Sequence, residues 1–202
     1  MKTFKIPYQD TQKFSKLVID YLNEDEQLKP FFNYFPSLNN FEKQITEKQN
    51  HPINRKVLVE VLKQQNADLN LSEKSEKNIN SLLNKDAFTI TTAHQLCLFT
   101  GPLYFLYKII STLNLAEQLQ EKFPEKNIVP VFWMATEDHD FQEINHIHLF
   151  GKEIDWDNLK SGAVGRMDLS KFESVLNELK LVLGESENAE QLLHLFENAY
   201  LK

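Results

Sequence analysis

Along residues 1–85, apolar side chains recur every three or four positions between charged ones, which predicts a helical and rather polar region. Phe14, Leu17, Val18, Tyr21 and Leu22 share one helical face. Pro30 and Pro36 should break the next stretch, where Phe31, Phe32, Tyr34 and Phe35 are expected to pack inward as a short irregular clamp. A second helix is predicted from Arg55 to Gln65, with Val57, Leu58, Val61 and Leu62 on one face. Asn66 to Asn80 is polar and reads as a loop followed by a helix start, with Ser72 as its N-cap. The charged run Glu73 to Lys77 is a solvated face of that segment.

The pattern changes near Asp86, which divides the chain into residues 1–85 and 86–202. Ala87 to Thr92 is short and rich in β-branched residues, so it predicts a strand. A loop from His94 to Pro102 follows, then an amphipathic helix whose stripe is Leu103, Leu106, Ile110, Leu113 and Ala116 and which ends before Pro124. Ile128 to Ala135 is an unbroken apolar run, suited to a parallel strand buried on both faces, with Pro130 confined to its start. Strand, helix and strand in that order make a βαβ unit. A further strand over Ile147–Phe150 and two helices, Ser170–Leu183 and Ala189–Tyr200, complete the pattern. The fold class expected is α/β: a partial parallel sheet core behind an N-terminal helical region. A lone βαβ unit leaves its sheet edges open, so the chain reads as part of a larger sheet.

Composition narrows the function classes. With 42% hydrophobic and 25% charged residues, the chain can form a real core. Its net charge of -7 gives no support for nucleic-acid binding, although a local basic site for a small anion is compatible with it. The single cysteine, Cys97, excludes an intrachain disulfide and agrees with the cytoplasm. The N-terminus lacks the apolar segment of a signal peptide, and no apolar run reaches the length of a membrane span.

Two segments carry candidate chemistry. The first is Thr91 to Lys108, placed where ligands bind in a parallel sheet, beyond the carboxyl ends of the strands. Gly101 permits a positive φ or close backbone approach, and Pro102 suits the first helical position. The amides of the first turn and the helix dipole favour an anion, which Tyr104 and Lys108, four residues apart, could reach. His94, Gln95 and Thr100 add polar groups, and the bland alternative is an ordinary capped helix with an exposed polar edge. The second segment is Thr136 to Asn145, which brings Glu137, Asp138, His139, Asp140, Glu143 and Asn145 directly after a strand. Clustered carboxylates raise one another's pKa, bind a cation or substrate amine, or act as a base. If this segment is helical, His139, Glu143 and His146 share a face, so a metal-dependent hydrolase built on Glu137, Asp138, His139 and Asp140 is the rival reading. Helix capping by Asp138 or Asp140 is the bland one. Cys97 has no visibly paired base and reads as a small buried thiol, His148 and His194 as structural or surface groups, and Trp133 and Trp156 as core.

Together, LFTGPLYFLYKIISTLNLA, VPVFWMATEDHDFQEINHI and GAVGRM resemble the bacillithiol biosynthesis cysteine-adding enzyme (BshC) family, as do the N-terminal IPY, DYL and LKPF pieces. The resemblance covers essentially the whole chain and the N-terminal part of a family well over twice as long. It implies a Rossmann-like core related to nucleotidyltransferases, a C-terminal coiled coil that forms a homodimer, and ligation of cysteine to glucosaminyl malate with ATP or another nucleoside triphosphate. No metal is assigned, and the acidic charge and the lack of a long apolar run lead to the expectation of no nucleic-acid and no membrane partner. Carried onto this sequence, Glu137, Asp138, His139 and Asp140 are its catalytic candidates. His94, Gln95, Thr100, Gly101, Pro102, Tyr104, Lys108 and Asn145 are its substrate- or anion-binding candidates. One departure is Ala93, where the family loop has glycine. On this resemblance, residues 1–202 alone are expected to be an inactive truncated fragment that does not form the family dimer.

Overall fold

A computed structural model describes residues 4–158, 161–169 and 171–201. The chain forms two compact units, residues 1–86 and 87–202.

The first unit is helical. It contains α1 (Tyr8–Thr11), α2 (Lys16–Leu22), a 3-10 helix (Glu26–Phe31), α3 (Phe41–Gln49), α4 (Arg55–Gln65) and α5 (Glu73–Ser81). Side-chain caps explain several starts: Ser15, Asn54 and Ser72 accept from the amides of Val18, Val57 and Ser75. The expected α4 face is corrected, because Val57, Leu58 and Val61 are exposed and Val59 is the buried residue of that helix. Pro30 does not break the chain but sits inside the 3-10 helix, where fewer amides are needed as donors. The aromatic clamp forms only in part: Phe32 and Phe35 pack on Tyr21 at 5.3 and 5.4 Å, whereas Phe31 is 82% exposed. Phe14 lies before α2 and packs on Tyr8.

The second unit opens with the βαβ motif. β1 (Ala87–His94), α6 (Leu103–Lys122) and β2 (Asn127–Met134) follow one another, and β1 pairs in parallel with β2 from Ala87↔Asn127 to His94↔Met134. β1 therefore runs two residues past Thr92, so His94 ends the strand and does not belong to the loop. Among the described residues this sheet has two strands. That accounts for two departures from expectation. Pro130 lies mid-strand opposite Ile90, which is tolerated because each strand of a two-stranded ladder has a free edge. Only Ile128 and Val129 of β2 are buried, while Trp133 and Met134 are 59% and 56% exposed, so Trp133 is not core. The predicted stripe of α6 is likewise exposed at Leu103, Leu106, Ile110 and Leu113; Ala116 and Leu119 are buried, and Phe105 meets Phe132 at 5.4 Å.

After β2 come α7 (Phe141–Ile144), β3 (His146–Leu149) and β4 (Lys152–Asp155). β3 does not join the parallel sheet but pairs antiparallel with β4 in a separate hairpin. Phe150 (φ 50) and Gly151 (φ 78) form its two-residue turn, both in the left-handed region, as a tight hairpin requires. The main core follows from α8 (Phe172–Leu183) and α9 (Glu187–Tyr200). Ser170, the expected start of α8, lies outside the described residues. Phe172, Val175, Leu176 and Leu179 recur at helical spacing and are all buried with Ile154 and Trp156. Phe172 stacks on Tyr200 at 4.1 Å. Burial of each such side chain contributes roughly 1.5–3 kcal/mol.

Candidate active site

The parallel pairing of β1 and β2 sets both candidate segments at the same end of the sheet, because each follows a carboxyl end. The Ala135 amide donates to the His94 carbonyl at 3.1 Å and ties the two exits together.

After β1 the chain turns sharply. Phe99, Thr100 and Gly101 all have positive φ, at 45°, 73° and 64°. For phenylalanine and threonine this backbone is strained. It is held by Phe99, which is buried against Phe172, Phe196 and Tyr200 and whose amide donates to the Tyr200 hydroxyl at 3.0 Å. A Cβ on Gly101 would lie 2.4 Å from the Cys97 Cβ, so the glycine serves close packing as well as the turn. Pro102 is the N-cap of α6, one position before the predicted one, with Leu103 first in the helix. Thr100 is exposed.

This turn aims α6 so that Tyr104 and Lys108 face the end of β1. The Tyr104 hydroxyl lies 2.9 Å from His94 Nε2 and 3.4 Å from Glu143 Oε1. Lys108 Nζ donates to the Ala93 carbonyl at 2.8 Å and stands 5.9 Å from the Tyr104 ring centre. His94 Nδ1 is 2.9 Å from the Gln95 carbonyl, an acceptor only, so Nδ1 carries a proton and neutral His94 presents a bare Nε2 to Tyr104. Partial burial first, then the Glu143 carboxylate, raises the Tyr104 hydroxyl above its ordinary pKa. Gln95 is 2% exposed. Its Nε2 donates to Glu143 Oε2 in a short hydrogen bond, and its buried Oε1 has no partner among the described residues. An unmet buried acceptor costs roughly 1–3 kcal/mol.

Cys97 lies beside this network, with Sγ 3.5 Å from His94 Nδ1. Burial, with Glu143 adding to it and Lys108 opposing, pushes the thiol up to about 11, which suits a protonated, unreactive side chain. It lines an apolar cavity of about 210 Å³ with Ile144, Trp156, Met167 and Phe172.

The acidic segment divides in role. Asp140 caps α7 by accepting from the Glu143 amide at 3.2 Å. Asp138 Oδ1 accepts from the His139 amide at 2.8 Å. Glu137 accepts from Trp133 Nε1 at 3.3 Å, and the His139 side chain is 84% exposed. Asn145 Oδ1 is 3.0 Å from His146 Nδ1, and its carbonyl accepts from the Trp156 amide. Because α7 spans only Phe141–Ile144, His139 and His146 lie outside it and do not share a helical face with Glu143. Among the described residues no three His, Cys, Asp or Glu side chains are grouped to hold a metal ion. The GAVGRM segment docks on this loop: the Val164 amide donates to the Asp138 carbonyl and the Gly165 amide to the Thr136 carbonyl. A Cβ on Gly165 would meet the Thr136 Cβ at 2.6 Å.

The structure thus joins His94, Gln95 and Tyr104 through Glu143, a residue of the acidic segment outside the catalytic and binding candidates, with Lys108 beside them on the Ala93 carbonyl. Glu143 follows the N-cap Asp140 by three residues, the position at which a cap fixes the backbone; that spacing was the available signal. Among the described residues the side chains of Glu137, Asp138 and His139 bond elsewhere, and Asp140 reaches this network only through the Glu143 amide.

Comparison with known proteins identifies the family. Residues 1–202 match the family described as bacillithiol biosynthesis BshC, N-terminal Rossmann-like domain. Relatives bearing the name "Putative cysteine ligase BshC" include a Flavobacterium psychrophilum protein, 50% identical over 100% of this chain and 39% of its own length. A Cytophaga hutchinsonii protein is 48% identical over 87% of this chain and 34% of its own length. A Bacillus cereus protein is 36% identical over 64% of the chain and 24% of its own length. The chain therefore spans well under half the length of the relatives it matches. By its sequence along the whole chain and its Rossmann-like α/β fold, this chain belongs to the bacillithiol biosynthesis BshC family, as its N-terminal Rossmann-like domain.

Proposed function

We propose that the chain contributes the ligand end of a carbon–nitrogen ligase that adds cysteine to glucosaminyl malate, the last step of bacillithiol biosynthesis. The observation that carries the reading is the meeting of the two loops at the carboxyl ends of β1 and β2 through Gln95, Tyr104 and Glu143. A carboxylate, a histidine and a lysine in one place can serve an amine and a carboxyl group together. The names of the relatives supply cysteine as a substrate.

We infer that a nucleoside triphosphate activates the carboxyl group, since amide formation from a free carboxylate needs a better leaving group. The residues present suit its phosphates: the first turn of α6 carries no acidic side chain, Thr100 is exposed beside it, and Lys108 has donors beyond the one given to Ala93. Such a reaction belongs in the cytoplasm, in a homodimer. Among the described residues no helix is long and apolar enough to cross a membrane.

The full-length gene product incubated with cysteine, glucosaminyl malate and ATP should yield bacillithiol by mass spectrometry, with nucleotide consumed in step. Lys108→Met should weaken nucleotide binding by about 1–3 kcal/mol. Failure to form the thiol with any nucleoside triphosphate would sink the reading.

A further inference from the structure

Glu143 stands at the centre of the site. Its side chain is 45% exposed, so it is open to a ligand, yet its Oε2 is held from the protein side. Oε2 takes the Gln95 amide and Oε1 faces the Tyr104 hydroxyl. Gln95 is turned to serve it: only Nε2 can donate to a carboxylate, and pointing it there leaves Oε1 buried without a partner. A buried amide kept in that orientation against its own hydrogen-bonding needs indicates that the position of the Glu143 carboxylate matters.

The Tyr104 hydroxyl has one proton and two acceptors beside it. With Nδ1–H fixed on the Gln95 carbonyl, Nε2 of neutral His94 takes that proton at 2.9 Å, and Glu143 Oε1 at 3.4 Å is left able to receive another. The charged and titratable groups facing His94 are Tyr104 from α6, Glu143 from α7 and Cys97 from the intervening loop, with Lys108 on the carbonyl of Ala93.

We propose that Glu143 receives the amine of the acceptor substrate, a primary amine such as that of a 2-amino sugar, and passes its proton through Tyr104 to His94. This rests on the ligase reading and assigns the base within it. The amine lone pair forms the new carbon–nitrogen bond to the activated carboxyl carbon, and the activating group leaves with the electron pair of the bond that breaks. The nitrogen's proton goes to Glu143; the proton of Glu143 goes to the Tyr104 oxygen as the Tyr104 proton moves to His94 Nε2. Nothing is oxidised or reduced. Glu143 is the catalytic residue, while Tyr104, His94 and Gln95 are positioning and relay residues.

Binding, spectroscopy and kinetics of the full-length gene product test this separately. Titration with glucosamine should show binding that Glu143→Gln weakens at least tenfold; equal binding by that variant, with an unchanged melting curve, would overturn the amine site. Nitrogen-15 spectra should show neutral His94 protonated on Nδ1, and an Nε2–H tautomer would overturn the relay. Tyr104→Phe should lower kcat at least tenfold with KM for the amine substrate unchanged; full turnover, or a rise in KM alone, would count against it. If no bacillithiol forms but glucosamine binding still depends on Glu143, the ligase reading fails and the amine site stands. If wild type and Glu143→Gln are equally active and bind equally, this inference fails and the ligase reading stands.

Discussion

Cys97 and Gly101 show how single positions shape the site loop. The Cys97 thiol sits at about 11 because burial disfavours the thiolate and Glu143 repels it. Relative to an ordinary thiol at 9.0, it should hold about a hundredfold less thiolate at neutral pH, and iodoacetamide should label it slower by that factor. Labelling at the rate of free cysteine would contradict this. The folded thiol keeps its proton where the unfolded one loses it, so this group's contribution to stability should fall as pH rises from about 9 towards 11. Gly101→Ala combines φ +64° with a 2.4 Å approach to the Cys97 Cβ. It should destabilise the fold by about 1–3 kcal/mol, read in urea melts, and Cys97→Gly in the same chain should restore part of the loss.

At the level of elements, α7 decides where Glu143 points. It is a single turn held at its start by the Asp140 side chain. Asp140→Ala should cost about 1 kcal/mol, whereas Asp140→Asn, which can still cap, should remain near wild type in both stability and activity. A large loss of turnover in Asp140→Asn with intact stability would instead make Asp140 a chemical participant. α6 illustrates a different lesson. Its apolar stripe was plain in the sequence, yet Leu103, Leu106, Ile110 and Leu113 stay exposed; Ala116 of that stripe is buried, as is Leu119, and Phe105 meets Phe132 of β2. Helical periodicity identifies an amphipathic helix but not which of two apolar faces meets the sheet, when both are rich in large side chains.

Across the whole molecule the two units differ in how much they bury. Among the described residues of 1–86, the buried apolar side chains are Ile45, Val59 and Leu82. Residues 87–202 contain the cluster around Phe172, Ile154, Trp156 and Leu179. Local stability follows buried apolar contact, so native-state hydrogen exchange should be slowest in α8 and β4 and fastest in α4 and α5. Equal protection in the two units would show that burial is not what sets stability here.

The sequence by itself determined α4, α6 and α9, the Ser72 cap and the βαβ order, because helical and strand periods, a serine before a helix, and the apolar run of β2 are local properties. It also carried the family resemblance, since motifs such as GPLY and EDHDFQEIN are read along the chain. Tertiary structure alone decided what pairs with what. β3 could have joined the parallel sheet, but Phe150 and Gly151 at positive φ fold it back onto β4. In the same way, Glu143 lies 48 residues from Gln95 and 39 from Tyr104, and no spacing rule links such positions. Only the parallel register of β1 and β2 sets both loops at one end of the sheet. That register turns three separate stretches of chain into one hydrogen-bonded site.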